Sequence, residues 1–280
     1  MSVKYQHGKI QSFLLAAVLL MASTSPLAFD HQHQMFNSVL HDVVKLSEDK
    51  KQTRVDYAQL YNQPDKLNNY LSGLSAVKKN EYQLWTSEQQ LSFLINAYNA
   101  FTLQLIVQNY SQFERDDAQS IKDLGSFFSS PWKQQFFTLL GDKRHLDNIE
   151  HDMIRVWFER PLIHAALVCA AVSCPPLRAE AFVADKLEQQ LDEQMRLFLS
   201  DDQRNTINLS ESRVYLSSIF KWYGEDFEKG QQGFDNLKDL IKRYQTAIAD
   251  DPQQLKWLQQ QDFKIRYLDY DWRLNDISTF

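Results

Sequence analysis

Glycine is scarce in this sequence, with seven residues among 280, and no two of them stand in a Gly-x-Gly arrangement. Phosphate-binding loops of nucleotide-binding folds need clustered glycines, because glycine lets the backbone approach a phosphate closely. The sequence therefore excludes Rossmann-type and Walker-type nucleotide sites. The composition that remains, 44% hydrophobic and 24% charged residues, is that of a globular protein with a sizeable core.

Cysteine is scarcer still, since Cys169 and Cys174 are the only two. Two thiols cannot build a disulfide scaffold or a four-thiolate zinc site, so what remains is one disulfide or one reactive thiol. The sequence also lacks the motifs H-E-x-x-H and G-x-S-x-G and the calcium-binding loop of an EF-hand. We predict no metal ion and no cofactor.

The first 28 residues have the pattern of a secretory signal peptide: two lysines and no acid, an apolar run over residues 13–22, and small residues up to Ala28. This apolar run is half the ~20 residues that a membrane-spanning helix needs. We expect cleavage near Ala28, a periplasmic or secreted protein, and no stable membrane span afterwards. An uncleaved anchor is the alternative, because Pro26 lies at the −3 position of that cut. We predict a disordered tail over residues 30–33.

The charge of the remaining chain is acidic. Without residues 1–28 it keeps 28 basic and 36 acidic residues, a net charge of −8, and the basic residues are scattered. Such a protein repels phosphate backbones and anionic lipid. We therefore predict no nucleic-acid binding. A small molecule or protein of the cell envelope is the expected partner, and its identity stays open.

Apolar residues cover nearly the whole circumference of residues 88–109, which is typical of a helix buried on most sides. We predict that this is the central helix of a helix-rich, single α+β domain over residues 29–280, with a small, mostly antiparallel sheet. Other predicted helices cover residues 35–46, 64–74, 76–84, 147–160, 183–199, 217–223 and 234–249; predicted hairpins cover 136–146 and 206–216; predicted strands cover 162–170 and 264–268.

The densest group of reactive residue types is His164, Cys169 and Cys174. In a strand, His164 and Cys169 point to opposite faces, whereas Cys174 lies beyond a segment that could turn back. One hypothesis is a thiol-dependent hydrolase or transferase of papain-like or transglutaminase-like type, with Cys174 as nucleophile and His164 as base. The alternatives are a buried core histidine, a core Cys169, and a disulfide between the two cysteines. Candidates for a third, orienting group are Asp226, Asp269 and Asp271.

Two groups of polar side chains could line a binding pocket. Asn96 and Asn99 share one face of the central helix, where they either tie loops to the core or hold a ligand. Glu150, His151 and Arg155 either bind an anion or form a solvated helix face. The interpretation we favour is a periplasmic binding or structural module with its pocket near Asn96 and Asn99; whether the protein is an enzyme stays open.

Several ordered motifs resemble the bacterial members of the domain-of-unknown-function family DUF547, from about residue 50 to the end. The resemblance is densest at about 85–195, which implies a family-like core there, with the N- and C-terminal parts packing on it. The resemblance implies no activity, substrate or cofactor, and Leu94 and Ala165 stand where that pattern has a bulkier aromatic residue. The motifs are Val55-Asp-Tyr57, Phe93-Leu-Ile-Asn-Ala-Tyr-Asn-Ala100, Ser120-Ile-Lys-Asp123, Pro131-Trp132, Leu146-Asp-Asn-Ile-Glu-His151, His164-Ala-Ala-Leu-Val-Cys-Ala170, Ser173-Cys-Pro-Pro-Leu177, Phe220-Lys-Trp-Tyr223 and Tyr270-Asp-Trp272. The positions that the resemblance singles out are Asn96, Asn99, Glu150, His151, Arg155, His164, Cys169 and Cys174.

Overall fold

The computed structural model describes residues 1–2, 28–126, 129–260 and 262–280. The predicted signal segment therefore lies outside the described residues, apart from its two ends. Within the described part of the chain, no helix is both long enough and apolar enough to cross a membrane.

Helices of very different length and strands of three or four residues are interspersed along the chain. The helices are α1 (Gln34–Val43), α2 (Tyr57–Asn62), α3 (Asp65–Ala76), α4 (Lys79–Tyr82), α5 (Ser87–Gln108), α6 (Tyr110–Glu114), α7 (Arg155–Trp157), α8 (Leu187–Leu199), α9 (Ser218–Trp222), α10 (Leu237–Arg243), α11 (Gln245–Ile248) and α12 (Pro252–Gln260). The strands are β1 (Val44–Leu46), β2 (Thr53–Val55), β3 (Phe137–Leu139), β4 (Asp142–Arg144), β5 (Thr206–Asn208), β6 (Arg213–Leu216) and β7 (Lys264–Tyr267).

Helix α5 is the centre of the fold, as predicted. It begins at a capping box in which the Thr86 side chain accepts the backbone N–H of Gln89 and the Gln89 side chain accepts that of Thr86. From Leu91 to Val107 nearly every side chain is buried, so the helix has no solvent-facing stripe. The π-helical turn Asn148–Ile154 packs against it and continues directly into α7.

Among the residues that the structure describes, three small sheets lie around the helices. Strands β1 and β2 pair antiparallel, as do β3 and β4. In the third sheet β6 pairs antiparallel with β5 and parallel with β7. The buried apolar residues form one cluster, from Phe36 to Leu274. The predicted α+β class, both hairpins and the final strand are therefore confirmed.

The strand predicted over residues 162–170 is wrong. Pro161–Ala165 forms a 3₁₀ turn, and the chain then runs irregularly to Ala171. The backbone groups of Ala166 and Val168 bond to the Asn99 side chain instead of to a neighbouring strand. An apolar run of this length reveals burial but does not distinguish between a strand and a buried turn.

The predicted disordered tail at residues 30–33 is also wrong. The ring of Phe29 stacks on Trp85 at 5.4 Å between centroids. His33 is 1% exposed, and its Nδ1 lies 2.6 Å from the hydroxyl of Tyr70. Its backbone φ of 49° is left-handed, a conformation in which histidine is enriched among non-glycine residues. The tract before α1 is therefore an anchor on the core.

Candidate functional site

A pocket of about 180 Å³ opens beside α5, between the π-helical turn, the chain around Cys169, α9 and the C-terminal segment. Its polar lining consists of Asp147, Glu150, His151, His164 and Cys169. Its aromatic lining consists of Tyr98, Trp132, Trp222, Tyr223, Tyr270 and Trp272, and Leu167 and Ile219 complete it.

A buried ion network supports one side of the pocket. His164 Nε2 lies 2.9 Å from Asp226 Oδ2, and this carboxylate also accepts bonds from Arg155 Nε at 2.6 Å and Lys229 Nζ at 2.8 Å. Burial raises the pKa of Asp226, but these three donors outweigh it and hold the pKa well below its ordinary value. Burial lowers the pKa of His164 more than Asp226 raises it, so the imidazole is neutral at pH 7.

At the floor of the pocket, the carboxylate of Glu150 lies beside the phenol of Tyr223. Glu150 is 6% exposed and lies close enough to the Tyr223 side chain to act on its pKa. The Tyr223 ring stacks on His164 at 4.1 Å between centroids. Burial and the neighbouring Glu150 raise the pKa of Tyr223, which keeps the phenol protonated. His151 Nδ1 lies 3.1 Å from Arg155 Nη1, so Arg155 links the histidine to the ion network.

The two sulfurs lie together at another edge of the pocket. Cys174 Sγ accepts the backbone N–H groups of Cys169 at 3.1 Å and Ala171 at 3.2 Å. The hydroxyl of Tyr270 lies 3.3 Å from both sulfurs. Cys169 is half-buried and lines the pocket, whereas Cys174 is buried behind it.

The surroundings shift the pKa values of the two thiols in opposite directions. Burial raises the pKa of Cys174, but the hydrogen bonds from Cys169, Tyr270 and the two backbone N–H groups outweigh it and lower the pKa below its ordinary value. The hydrogen bond to Cys174, together with burial, raises the pKa of Cys169 well above its ordinary value. The first proton to leave the pair therefore leaves the Cys174 sulfur.

Aromatic rings form the wall opposite the floor. Trp222 stacks on Trp272 at 5.6 Å, and Tyr270 lies against both at 4.9 and 4.5 Å between centroids. Trp132 meets the edge of Trp272 at 6.0 Å. Lys122 Nζ lies 3.5 Å from the centroid of Trp272, so this wall already contacts one cation.

The two asparagines predicted to bind a ligand instead hold backbone. Asn96 donates to Phe182 O at 2.7 Å and accepts from Phe182 N at 3.0 Å. Asn99 donates to Ala166 O at 2.9 Å and accepts from Val168 N at 3.0 Å. Neither side chain is among those lining the pocket. Of the two roles that the sequence left open, these contacts are those of asparagines that tie loops to the core. Asn99 also positions the chain that leads to Cys169.

The structure thus brings Glu150, His151 and His164 to one pocket and places Arg155 behind them. It does not join Cys174 to His164 by a hydrogen bond, since each of these side chains bonds to other partners. Of the three acids considered as an orienting group, Asp226 is the one that bonds to His164, while Asp271 pairs with Arg273 and Asp269 is exposed.

Sequence reasoning missed the aromatic wall and the position of Cys169 in the pocket. The signal for the wall was present in the paired aromatics Trp222-Tyr223 and Tyr270-Asp-Trp272, which recur near the C-terminus. Across the described ranges, no three histidine, cysteine, aspartate or glutamate side chains gather closely enough to hold a metal ion.

One comparison with known proteins gave a match. Residues 82–199 match the model of a family described as "Protein of unknown function, DUF547". No curated protein and no solved structure matches the chain. The matched residues contain the polar lining of the pocket, whereas the aromatic wall comes mostly from residues beyond the match.

Proposed function

We propose that this chain, whose residues 82–199 match the DUF547 family model, binds the cationic end group of a small organic molecule in the pocket beside α5. The observation that carries the proposal is the pairing of a buried carboxylate, Glu150, with a wall of packed aromatic rings, Trp222, Tyr270 and Trp272. Aromatic faces attract cations, and organic ammonium groups are bound in aromatic cages of this kind.

The charges around the pocket support a cationic ligand. Glu150 and Asp147 line it, and the imidazole of His164 is neutral at pH 7 because burial lowers its pKa. The positive charge of Arg155 is directed to Asp226 and Glu225. The Lys122 ammonium lies on Trp272 at the aromatic wall, but at the floor an anion would meet the carboxylates of Glu150 and Asp147, whereas an ammonium group would meet complementary charge there.

The size of the pocket limits the ligand. Drug-sized ligands occupy pockets of about 300–1,000 Å³, whereas this one measures about 180 Å³. It accepts a molecule of a few heavy atoms, or the end group of a larger one. As the environment we propose the periplasm or the extracellular space, because residues 1–28 have the pattern of a signal peptide.

Choline and its uncharged isostere 3,3-dimethylbutan-1-ol provide the test. We expect choline to bind more tightly by about 1–2 kcal/mol, or about 5–30-fold, because the two ligands differ only in charge. Calorimetric titration gives the affinities, and tryptophan fluorescence reports on the wall. Equal affinities for the two ligands, or binding of neither, would contradict the proposal.

Three variants locate the source of this preference. Glu150→Gln keeps the shape of the floor and should remove most of the preference for choline. Lys122→Met removes the cation that lies on Trp272 and should tighten choline binding. Glu48→Gln is the matched control, because Glu48 is an exposed carboxylate at the turn between β1 and β2. A Glu48→Gln protein that loses the preference as fully as Glu150→Gln would show that net charge, and not the pocket, selects the ligand.

A further inference from the structure

We infer that Cys169 and Cys174 form a redox-active dithiol that reduces small-molecule disulfides entering the pocket. The pair shares one hydroxyl neighbour, Tyr270, at 3.3 Å from each sulfur. Cys169 faces the pocket and Cys174 lies directly behind it. Reduction of a disulfide by a dithiol needs one accessible thiol that attacks the substrate and a second thiol beside it. The second sulfur resolves the mixed disulfide that the first one forms.

The backbone already holds the two cysteines in a closed turn. Cys174 N donates to Ala171 O at 3.0 Å, and Cys174 Sγ lies 3.1 Å from the backbone nitrogen of Cys169. Between them Ala170 has a φ of 62°, a left-handed conformation that is strained for an alanine. Asn275 N donates to Ala170 O at 3.1 Å and helps to hold this conformation. Closing an S–S bond therefore requires movement of side chains within an existing turn.

The surroundings favour a negative charge on the rear sulfur. Two backbone N–H groups and the Tyr270 hydroxyl point at Cys174 Sγ. The guanidinium of Arg204 also lies nearby, and the charge of Cys174 raises the pKa of Arg204 against the lowering effect of burial. Cys174 can therefore receive the proton of Cys169 when Cys169 attacks a substrate.

The exchange has two balanced steps. The Cys169 sulfur attacks one sulfur of the substrate R–S–S–R, its proton passes to the Cys174 thiolate, and R–S⁻ leaves and takes a proton from water. Cys174 then loses its proton to water and attacks the Cys169 sulfur, which breaks the mixed disulfide and releases the second R–S⁻; this thiolate also takes a proton from water. The protein dithiol is oxidised to a disulfide, and the substrate disulfide is reduced by two electrons to two thiols.

Cystamine, a disulfide with two ammonium groups, is the probe. Reduced protein should release two molecules of cysteamine per chain, and its intact mass should fall by two hydrogen atoms. Because the chain contains only two cysteines, each thiol that is lost can be assigned to this pair. Cys169→Ser should release none. Cys174→Ser should stop at a stable mixed disulfide on Cys169, with one cysteamine released.

The pH profile separates a reactive pair from a merely structural one. The hydrogen bond from Tyr270 lowers the pKa of Cys174, so Tyr270→Phe should move the midpoint of the rate–pH profile to higher pH. This variant leaves both sulfurs in place and provides an independent test if a serine variant fails to fold. A Cys174→Ser protein that folds and still releases two thiols per chain would overturn the inference, as would an unchanged midpoint in Tyr270→Phe.

The preference for a cationic disulfide rests on the proposed function, whereas the exchange itself does not. The dianion 3,3′-dithiodipropionate is the matched probe of opposite charge. If both disulfides react at equal rates, the dithiol inference stands and the cation pocket fails. If neither disulfide reacts while choline still binds in preference to its isostere, the dithiol inference fails and the pocket stands.

Discussion

Replacing Asn99 by alanine is expected to lower the free energy of unfolding by about 2–4 kcal/mol. The carboxamide bonds to Ala166 O and Val168 N, and both residues are buried. Removing it leaves a carbonyl and an N–H without partners away from water, and each such group costs about 1–3 kcal/mol. Urea unfolding followed by circular dichroism measures the change.

The control for this prediction is Asn68→Ala, at an exposed position on α3. Alanine has the higher helix propensity, so this variant should unfold within about 0.5 kcal/mol of the parent. Because Asn99 holds the chain that leads to Cys169, its removal should also speed alkylation of that thiol by iodoacetamide. An Asn99→Ala protein as stable as Asn68→Ala would show that these two bonds do not hold the turn.

Acidification from pH 7 to pH 5 is expected to destabilise the protein by about 2 kcal/mol through His33 alone. Burial lowers the pKa of His33 from 6.5 to about 3, although Asp30 acts in the opposite direction. In the unfolded chain His33 binds a proton near pH 6.5, whereas in the folded chain it binds one only near pH 3. Between these two values the proton binds the unfolded chain better, so the free energy of unfolding falls as the pH falls. The lowered pKa of His164 adds a loss of the same sign.

His33→Asn isolates this effect, because asparagine tolerates the left-handed backbone but does not titrate. The variant should lose stability at pH 7 through lost packing, yet its stability should change less between pH 7 and pH 5. His41→Asn alters an exposed histidine on α1 and should keep the parental slope. Curves of stability against pH that run parallel for His33→Asn and the parent would contradict the prediction. The lowered pKa of Asp226 adds a further loss of stability, but only below about pH 4.

The sequence predicts well the elements whose patterns are local. The all-round apolar pattern of residues 88–109 identified α5, and alternating residues around a short polar turn identified the pairing of β5 and β6. The i, i+4 spacing of His151 and Arg155, with Glu150 alongside, and the cluster of His164 with the two cysteines indicate candidate site residues, and Glu150, His151 and His164 line the pocket. Residue type and periodicity are sufficient for such features.

Features that depend on distant partners were not predictable in this way. The strand expected at 162–170 is a turn because Asn99, more than sixty residues earlier, takes the backbone bonds that a strand would need. Cys169 reaches the pocket and Cys174 does not because the chain reverses at Ala170 with a positive φ, which an alanine in an apolar run does not signal. The anchor at residues 29–33 depends on the rings of Trp85 and Tyr70, which the tract itself does not reveal.

The burial of α5 on all sides has a consequence for the order in which the chain folds. Its asparagines find their partners only after Ala166, Val168 and Phe182 have been synthesised. Until then the most apolar helix of the protein has no complete cover, and exposed surfaces of this kind aggregate. Although α5 is made early, it is enclosed late. We therefore expect a chain that is still emerging from the ribosome to need chaperones that shield this one helix.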